Sequence, residues 1–128
     1  MKFDPLKLYK AIISISPNAQ YTCDGDCYEG LTWRNEEYKP TEEEIVQKIA
    51  ELDYQEEVEE YKQQRAAEYP SMTDQQDMQF HDAINGTTTW KDAIQAVKDK
   101  YPKKKMNTRT LNKRKKDALA KLEASRES

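Results

Sequence analysis

The sequence predicts an α+β fold: a small N-terminal antiparallel β-meander, a long acidic helix, a helix pair and a basic C-terminal helix. Three observations carry that expectation. A β-branched apolar run and a Cys-Asp-Gly-Asp-Cys turn fall within the first 35 residues. From Thr41 onward apolar residues recur at helical spacing, and Pro70, Gly86 and Pro102 cut that helical part into pieces.

The meander is expected over residues 1–35. Residues 8–16, LYKAIISIS, read as its first strand, with Ile13 and Ile15 in alternation. Pro17-Asn18 supplies a turn. Residues 20–23 and 27–28 flank Asp24-Gly25-Asp26, a hairpin-loop signal. Residues 30–34 give a third short strand, Leu31 and Trp33 facing away from Thr32. Strands this short need a helix over one face.

That helix is expected over 41–68. Thr41-Glu42-Glu43-Glu44 has the spacing of a capping box. Ile45, Ile49 and Leu52 form one stripe; Tyr54, Val58 and Tyr61 form a second, rotated from the first. The break in register argues against a uniform coiled coil. The first half should cover the meander and the second should pack on the helix pair at 72–101. Pro70 ends the long helix, and Ser71 or Thr73 caps the next one. Met72, Gln76, Met78, Phe80, Ala83 and Ile84 give that helix an imperfect apolar face. Asn85-Gly86 breaks the chain, one of three threonines restarts it, and Trp90, Ala93, Ile94, Val97 and Tyr101 follow at helical spacing before Pro102. Residues 1–102 are therefore expected as a single α+β domain and 103–128 as a basic helical extension. In that extension Asn107 or Thr108 caps, and Leu111, Ala118, Leu119 and Leu122 fall in register. The core-bearing periodicity ends at Tyr101, so the body is expected to fold without the extension.

The chain has 128 residues, of which 35% are charged, and its mean hydropathy is −1.13. Apolar material is scarce, which favours an elongated helical body or one that completes its core against a partner. No run approaches the roughly 20 apolar residues of a membrane span, so no membrane partner is expected. The first residues, MKFDPLKLYK, lack the apolar stretch of a signal peptide, so the expected compartment is the cytoplasm of the producing cell or a particle assembled there. Ten basic residues against three acidic ones give residues 103–128 a charge of +7, which leaves −10 on residues 1–102 of the −3 total. Lys103, Lys104, Lys105, Arg109, Lys113, Arg114, Lys115 and Lys116 are the candidate nucleic-acid contacts. Base-reading motifs and interleaved aromatics are absent there, so such binding would run through phosphates and is expected to be weak. A solvated tail, or a helix docked on an acidic patch, competes with that reading.

Catalytic furniture is sparse. Cys23 and Cys27 lack two further zinc ligands, because the single histidine, His81, lies in another element. A cytoplasmic origin opposes a disulfide, leaving reduced thiols beside a turn as the expectation. Asp24-Gly25-Asp26 lacks the continuing ligands and the twelfth-position glutamate of a calcium loop. His81 has no serine or cysteine partner at identifiable spacing, and three scattered glycines cannot build a phosphate loop. No enzyme, cofactor or metal is expected. Trp33, Tyr61, Tyr69, Phe80, Trp90 and Tyr101 are the interface candidates, since aromatics dominate hot spots, although spacing places most of them in a core.

Arg65-Ala-x-Glu-Tyr-Pro70, Asp74-Gln-x-Asp-Met78 and Trp90-Lys-x-Ala-Ile-x-Ala-Val-Lys-x-Lys-Tyr-Pro102 resemble a block in small tail-region proteins of tailed bacteriophages. These include the XkdW family of defective prophages and tail-fibre-adjacent proteins. Gly30-Leu-Thr-Trp33 and Lys39-Pro-Thr-Glu-Glu-Glu-Ile45 also look like their N-terminal half, so the resemblance spans roughly residues 8 to 103. It implies virion structure or tail-fibre assembly through protein–protein contacts, and brings no catalytic residues. Expected partners are other phage virion or tail proteins, or further copies of this chain. The expected location is the virion, or the host cytoplasm during assembly. The basic C-terminal tail departs from the pattern. A nucleic-acid-contacting virion protein and a host-directed regulator or inhibitor are the alternative functions.

Overall fold

Asp4 and Pro5 start a helix where the β-branched run suggested a strand. In the computed structural model, which describes residues 1–127, α1 runs Pro5–Ile15. The Asp4 carboxylate accepts the Leu6 and Lys7 amides at 3.0 and 3.1 Å, and Pro5 sits in the first turn, where its missing N–H costs nothing. Leu8, Ala11 and Ile12 then fall on one buried face. Burial of that face at helical spacing outweighs the strand preference of Ile12, Ile13 and Ile15.

The expected three-stranded meander is therefore a two-stranded antiparallel ribbon. β1 (Tyr21–Cys23) pairs with β2 (Leu31–Trp33), Tyr21 opposite Trp33 and Cys23 opposite Leu31. Residues 27–28 do not form a strand; Tyr28–Gly30 is a single 3-10 turn. The connecting loop is tied down by three backbone bonds, from Phe3 to Asp26, Asp24 to Gly30 and Gly30 to Cys27, at 2.7 to 3.1 Å. Gly25 and Asp26 both take positive φ, 77° and 54°. At Gly30 a Cβ would lie 1.8 Å from the Asp24 carbonyl oxygen, so the loop closes only around glycine. Cys23 and Cys27 are free thiols whose S–H groups point to backbone carbonyls of the same loop.

α2 spans Glu42–Glu68. The Glu44 amide donates to Thr41 Oγ1 at 3.1 Å, as capping requires. The Glu44 carboxylate accepts from the Thr41 and Tyr38 hydroxyls. α3 (Met72–Asn85), α4 (Thr89–Lys100) and α5 (Thr108–Glu127) complete the order. Ser71 caps α3, and Gly86 ends it with φ 66°. Asn107 caps α5 through the Arg109 amide.

The chain forms two compact units: residues 1–56 with 106–128, and residues 57–105. This differs from the expected boundary at 102. In the first unit Phe3, Leu8, Ala11, Ile12, Leu31, Ile45, Val46 and Leu122 make one core. The basic segment is thus no appendage: Leu122 is 1% exposed, and Ala118 and Leu119 pack against the same cluster. Its charge is partly matched there, since Arg126 holds Glu42 and Glu43 at 2.7 Å each. The second unit buries Val58, Tyr61 and Val97, and its α3 and α4 pack as a helical hairpin.

Candidate functional site

The hairpin turn is built around Asp82. Its carboxylate accepts the Thr87 hydroxyl at 2.5 Å, the Thr89 amide and hydroxyl at 3.0 and 2.7 Å, and the Trp90 amide at 2.9 Å. Thr88 stands at the cap position of α4, but its hydroxyl donates to Asp92 Oδ2 at 3.0 Å and caps no backbone amide, so Asp82 supplies the cap from the preceding helix. Partial burial pushes its pKa up, but the bonds from Thr87, Thr89 and Trp90 together hold it far below the usual carboxylate range. The indole N–H of Trp90 reaches Gln75 Oε1 at 3.2 Å, joining α4 back to α3.

With the turn fixed, α3 presents two different faces. Gln75, Met78 and Asp82 are half-buried. On the opposite face, Met72 is 70% exposed, Phe80 70% and Ile84 66%. Met72, Gln76, Phe80 and Ile84 lie at four-residue spacing, so they form one continuous row along the helix. Sequence spacing placed Met72, Gln76, Met78, Phe80, Ala83 and Ile84 on one imperfect apolar face; the structure divides them, leaving only Met78 inward. The reason is geometric. Positions 78 and 80 are about 200° apart on a helix, so one packing surface cannot take both.

The other interface candidates are used within their own units. Trp33 stacks on Tyr21, ring centroids 5.9 Å apart, and donates its indole N–H to the Glu37 carbonyl at 2.7 Å. Tyr61 is buried beneath the Arg65 guanidinium. Tyr69 is half-buried. Trp90 is 38% exposed but committed to Gln75. Tyr101 is half-buried and donates to Glu68 at 2.6 Å, beside the Lys100–Glu68 pair at 2.8 Å. Phe80 alone of the six projects fully. Met72 and Ile84 were missed as surface candidates, and the four-residue row ending at Phe80 and Ile84 is the signal that identifies them.

The nucleic-acid candidates also separate. Lys103, Lys104 and Lys105 are exposed in the connection before α5. On α5, Arg109, Lys113 and Lys116 are exposed at i, i+4 and i+7, one stripe of a helix. Arg114 lies over the Tyr54 ring at 5.2 Å, and half-buried Lys115 approaches Glu51 at 4.0 Å.

Among the described residues no three His, Cys, Asp or Glu side chains cluster to hold a metal. His81 is exposed and meets the Asn85 amide at 3.1 Å. An open groove of about 330 Å³ in the first unit is floored by Phe3, Val46 and Ile49, and its lining holds Asp53, Asp117 and Lys121 without a hydroxyl, thiol or imidazole. Among the described residues no helix is long and apolar enough to cross a membrane. No family model, curated protein or solved structure matches the chain.

Proposed function

We propose that this chain is a non-enzymatic protein–protein interaction component of a bacteriophage tail or virion, as a structural part or a tail-fibre assembly factor. The carrying observation is the exposed Met72–Phe80–Ile84 row of α3. A chain this poor in apolar residues leaves three large ones in water on one helix face, although exposed apolar patches favour association. The hairpin beneath them is held by the four bonds to Asp82, so the row sits on a fixed element, as a binding face needs. The phage context rests on the resemblance over roughly residues 8 to 103. Mass spectrometry of particles purified from the strain that encodes the chain tests both parts: stoichiometric recovery supports a resident component, and presence only in assembly intermediates supports an assembly factor. Absence from particles and intermediates alike refutes the reading.

Contact with nucleic acid is the second reading, favoured by the exposed Arg109, Lys113 and Lys116 stripe. It is a phosphate-driven reading, tested by the dependence of binding on salt.

A further inference from the structure

The outward face of α5 carries a short row of cations that the fold does not neutralise. Arg109, Lys113 and Lys116 fall within an arc of about 60° on that helix, all three exposed and none in an ion pair among the described residues. Ala118 and Leu122, which pack into the core, lie on the opposite side. The row therefore sits on a helix already fixed in place, and little further ordering is needed when a partner binds. The remaining cations of α5 turn aside: Arg114 covers Tyr54, Lys115 approaches Glu51, Arg126 holds Glu42 and Glu43, and Lys121 borders the groove with Asp117. Exposed Ala120 continues the row, and Glu123, seven positions beyond Lys116, returns to the same face and ends it.

The surroundings of the row select the anion that fits it. α5 has no aromatic residue and exposes none of its large apolar side chains. It thus offers neither a stacking platform for unpaired bases nor an apolar wedge for a bilayer. The three cations span about 10 Å of helix axis, the length over which one strand of a B-form duplex presents roughly three phosphates. A duplex holds those phosphates on a stiff frame, as α5 holds its cations. We infer that the outward face of α5 binds the phosphate backbone of duplex nucleic acid through Arg109, Lys113 and Lys116, without reading its sequence; the inference rests on the nucleic-acid reading above.

The test follows the full chain by fluorescence anisotropy against labelled probes: two short DNA duplexes of unrelated sequence, and a single strand of the same length. Both duplexes should bind alike, and raising salt from about 25 to about 100 mM should lower their affinity about 40-fold, as three phosphate contacts require. The single strand should bind more weakly. Replacing Arg109, Lys113 and Lys116 together by glutamine should remove duplex binding without moving the melting temperature, because all three are exposed. Ala120→Lys adds a fourth cation to the row and should raise the loss over the same salt range to about 150-fold. An unchanged salt response of that variant overturns the placement of the duplex along the row. A single strand that binds as tightly as the duplexes overturns the duplex assignment and leaves the nucleic-acid reading standing. Binding that survives the glutamine changes moves the contact off α5, with the same consequence. Displacement of the duplex by polyglutamate, or by phosphatidylglycerol vesicles, at equal charge assigns the face to an acidic protein or a lipid surface and overturns the inference. No binding of either probe at the lowest salt overturns the inference and the nucleic-acid reading together.

Discussion

Replacing Leu122 by alanine should destabilise the first unit severely, although the residue lies six positions from the end of a chain segment with +7 charge. Leu122 is 1% exposed and belongs to the same core as Phe3, Leu8, Ile12, Leu31 and Ile45. Truncation removes roughly three carbons' worth of buried surface, about 2.4 kcal/mol of transfer free energy, and the unfilled cavity brings the cost to about 3 kcal/mol. In a unit of roughly eighty residues each kcal/mol moves the midpoint by about 4–8 °C, so the expected fall in Tm is about 12–24 °C. Thermal unfolding followed by circular dichroism reads it directly. Lys121→Ala, a neighbouring exposed change, is the control and should stay within about 0.5 kcal/mol of the parent. Deleting residues 103–128 removes Leu122, Leu119 and the Arg126 pair with Glu42 and Glu43 together, and should abolish cooperative melting of this unit. That reverses the expectation that the body folds without its basic segment. A Leu122→Ala protein melting within 2 °C of the parent, on the scale used above, would refute the placement of α5 in the core.

Three further outcomes follow from local geometry. Gly30→Ala drives a methyl group into the Asp24 carbonyl, and should cost about 1–3 kcal/mol in denaturant melts through displacement of the loop. Acid should destabilise the fold through Glu43, Glu51 and Glu68, whose carboxyls are held below their ordinary range by bonds from Arg126, Lys48 and Lys100 respectively. The folded state releases those protons more readily than the unfolded one, so their contribution is present above about pH 4 and declines as pH falls through the lowered values. On the alkaline side the sign reverses: Lys100 and Tyr101 are raised by bonding to Glu68, so their contribution is present below their ordinary range and is lost as pH rises through the raised values. Melting temperature against pH should show both limbs, and Glu68→Gln should diminish both. If nucleic acid binds, replacing Arg109, Lys113 and Lys116 by glutamine should weaken it equally across sequences and flatten the slope of log affinity against log salt by up to about three phosphates' worth; an unchanged slope removes that stripe from the reading.

Local chemistry explains which features were legible in the sequence. Thr41, Ser71, Gly86 and Asn107 each act within one turn of chain, and the caps and breaks they encode stand where their spacing places them. The α+β class followed from the same signals. The first helix was misread because Ile12, Ile13 and Ile15 carry strand preference, while the deciding facts are the Asp4 cap and a core that receives Leu8, Ala11 and Ile12. The role of α5 was hidden for a different reason. Whether three leucines in a basic helix are exposed or buried depends on a surface more than sixty residues away in the chain, which periodicity does not encode. At the candidate site, Phe80 was legible as an aromatic anchor. Met72 and Ile84 were not, because an apolar residue at helical spacing reads as core until the packing partner of each face is known.

The proposed role of the Met72–Phe80–Ile84 face of α3 is to join this chain to a larger phage assembly. Quantitative mass spectrometry of particles and assembly intermediates, comparing the parent with a Phe80→Ser, Ile84→Ser variant of unchanged melting temperature, tests it most directly. The parent should be recovered with its assembly and the variant lost from it. Recovery of the variant at the parent's level would rule that role out.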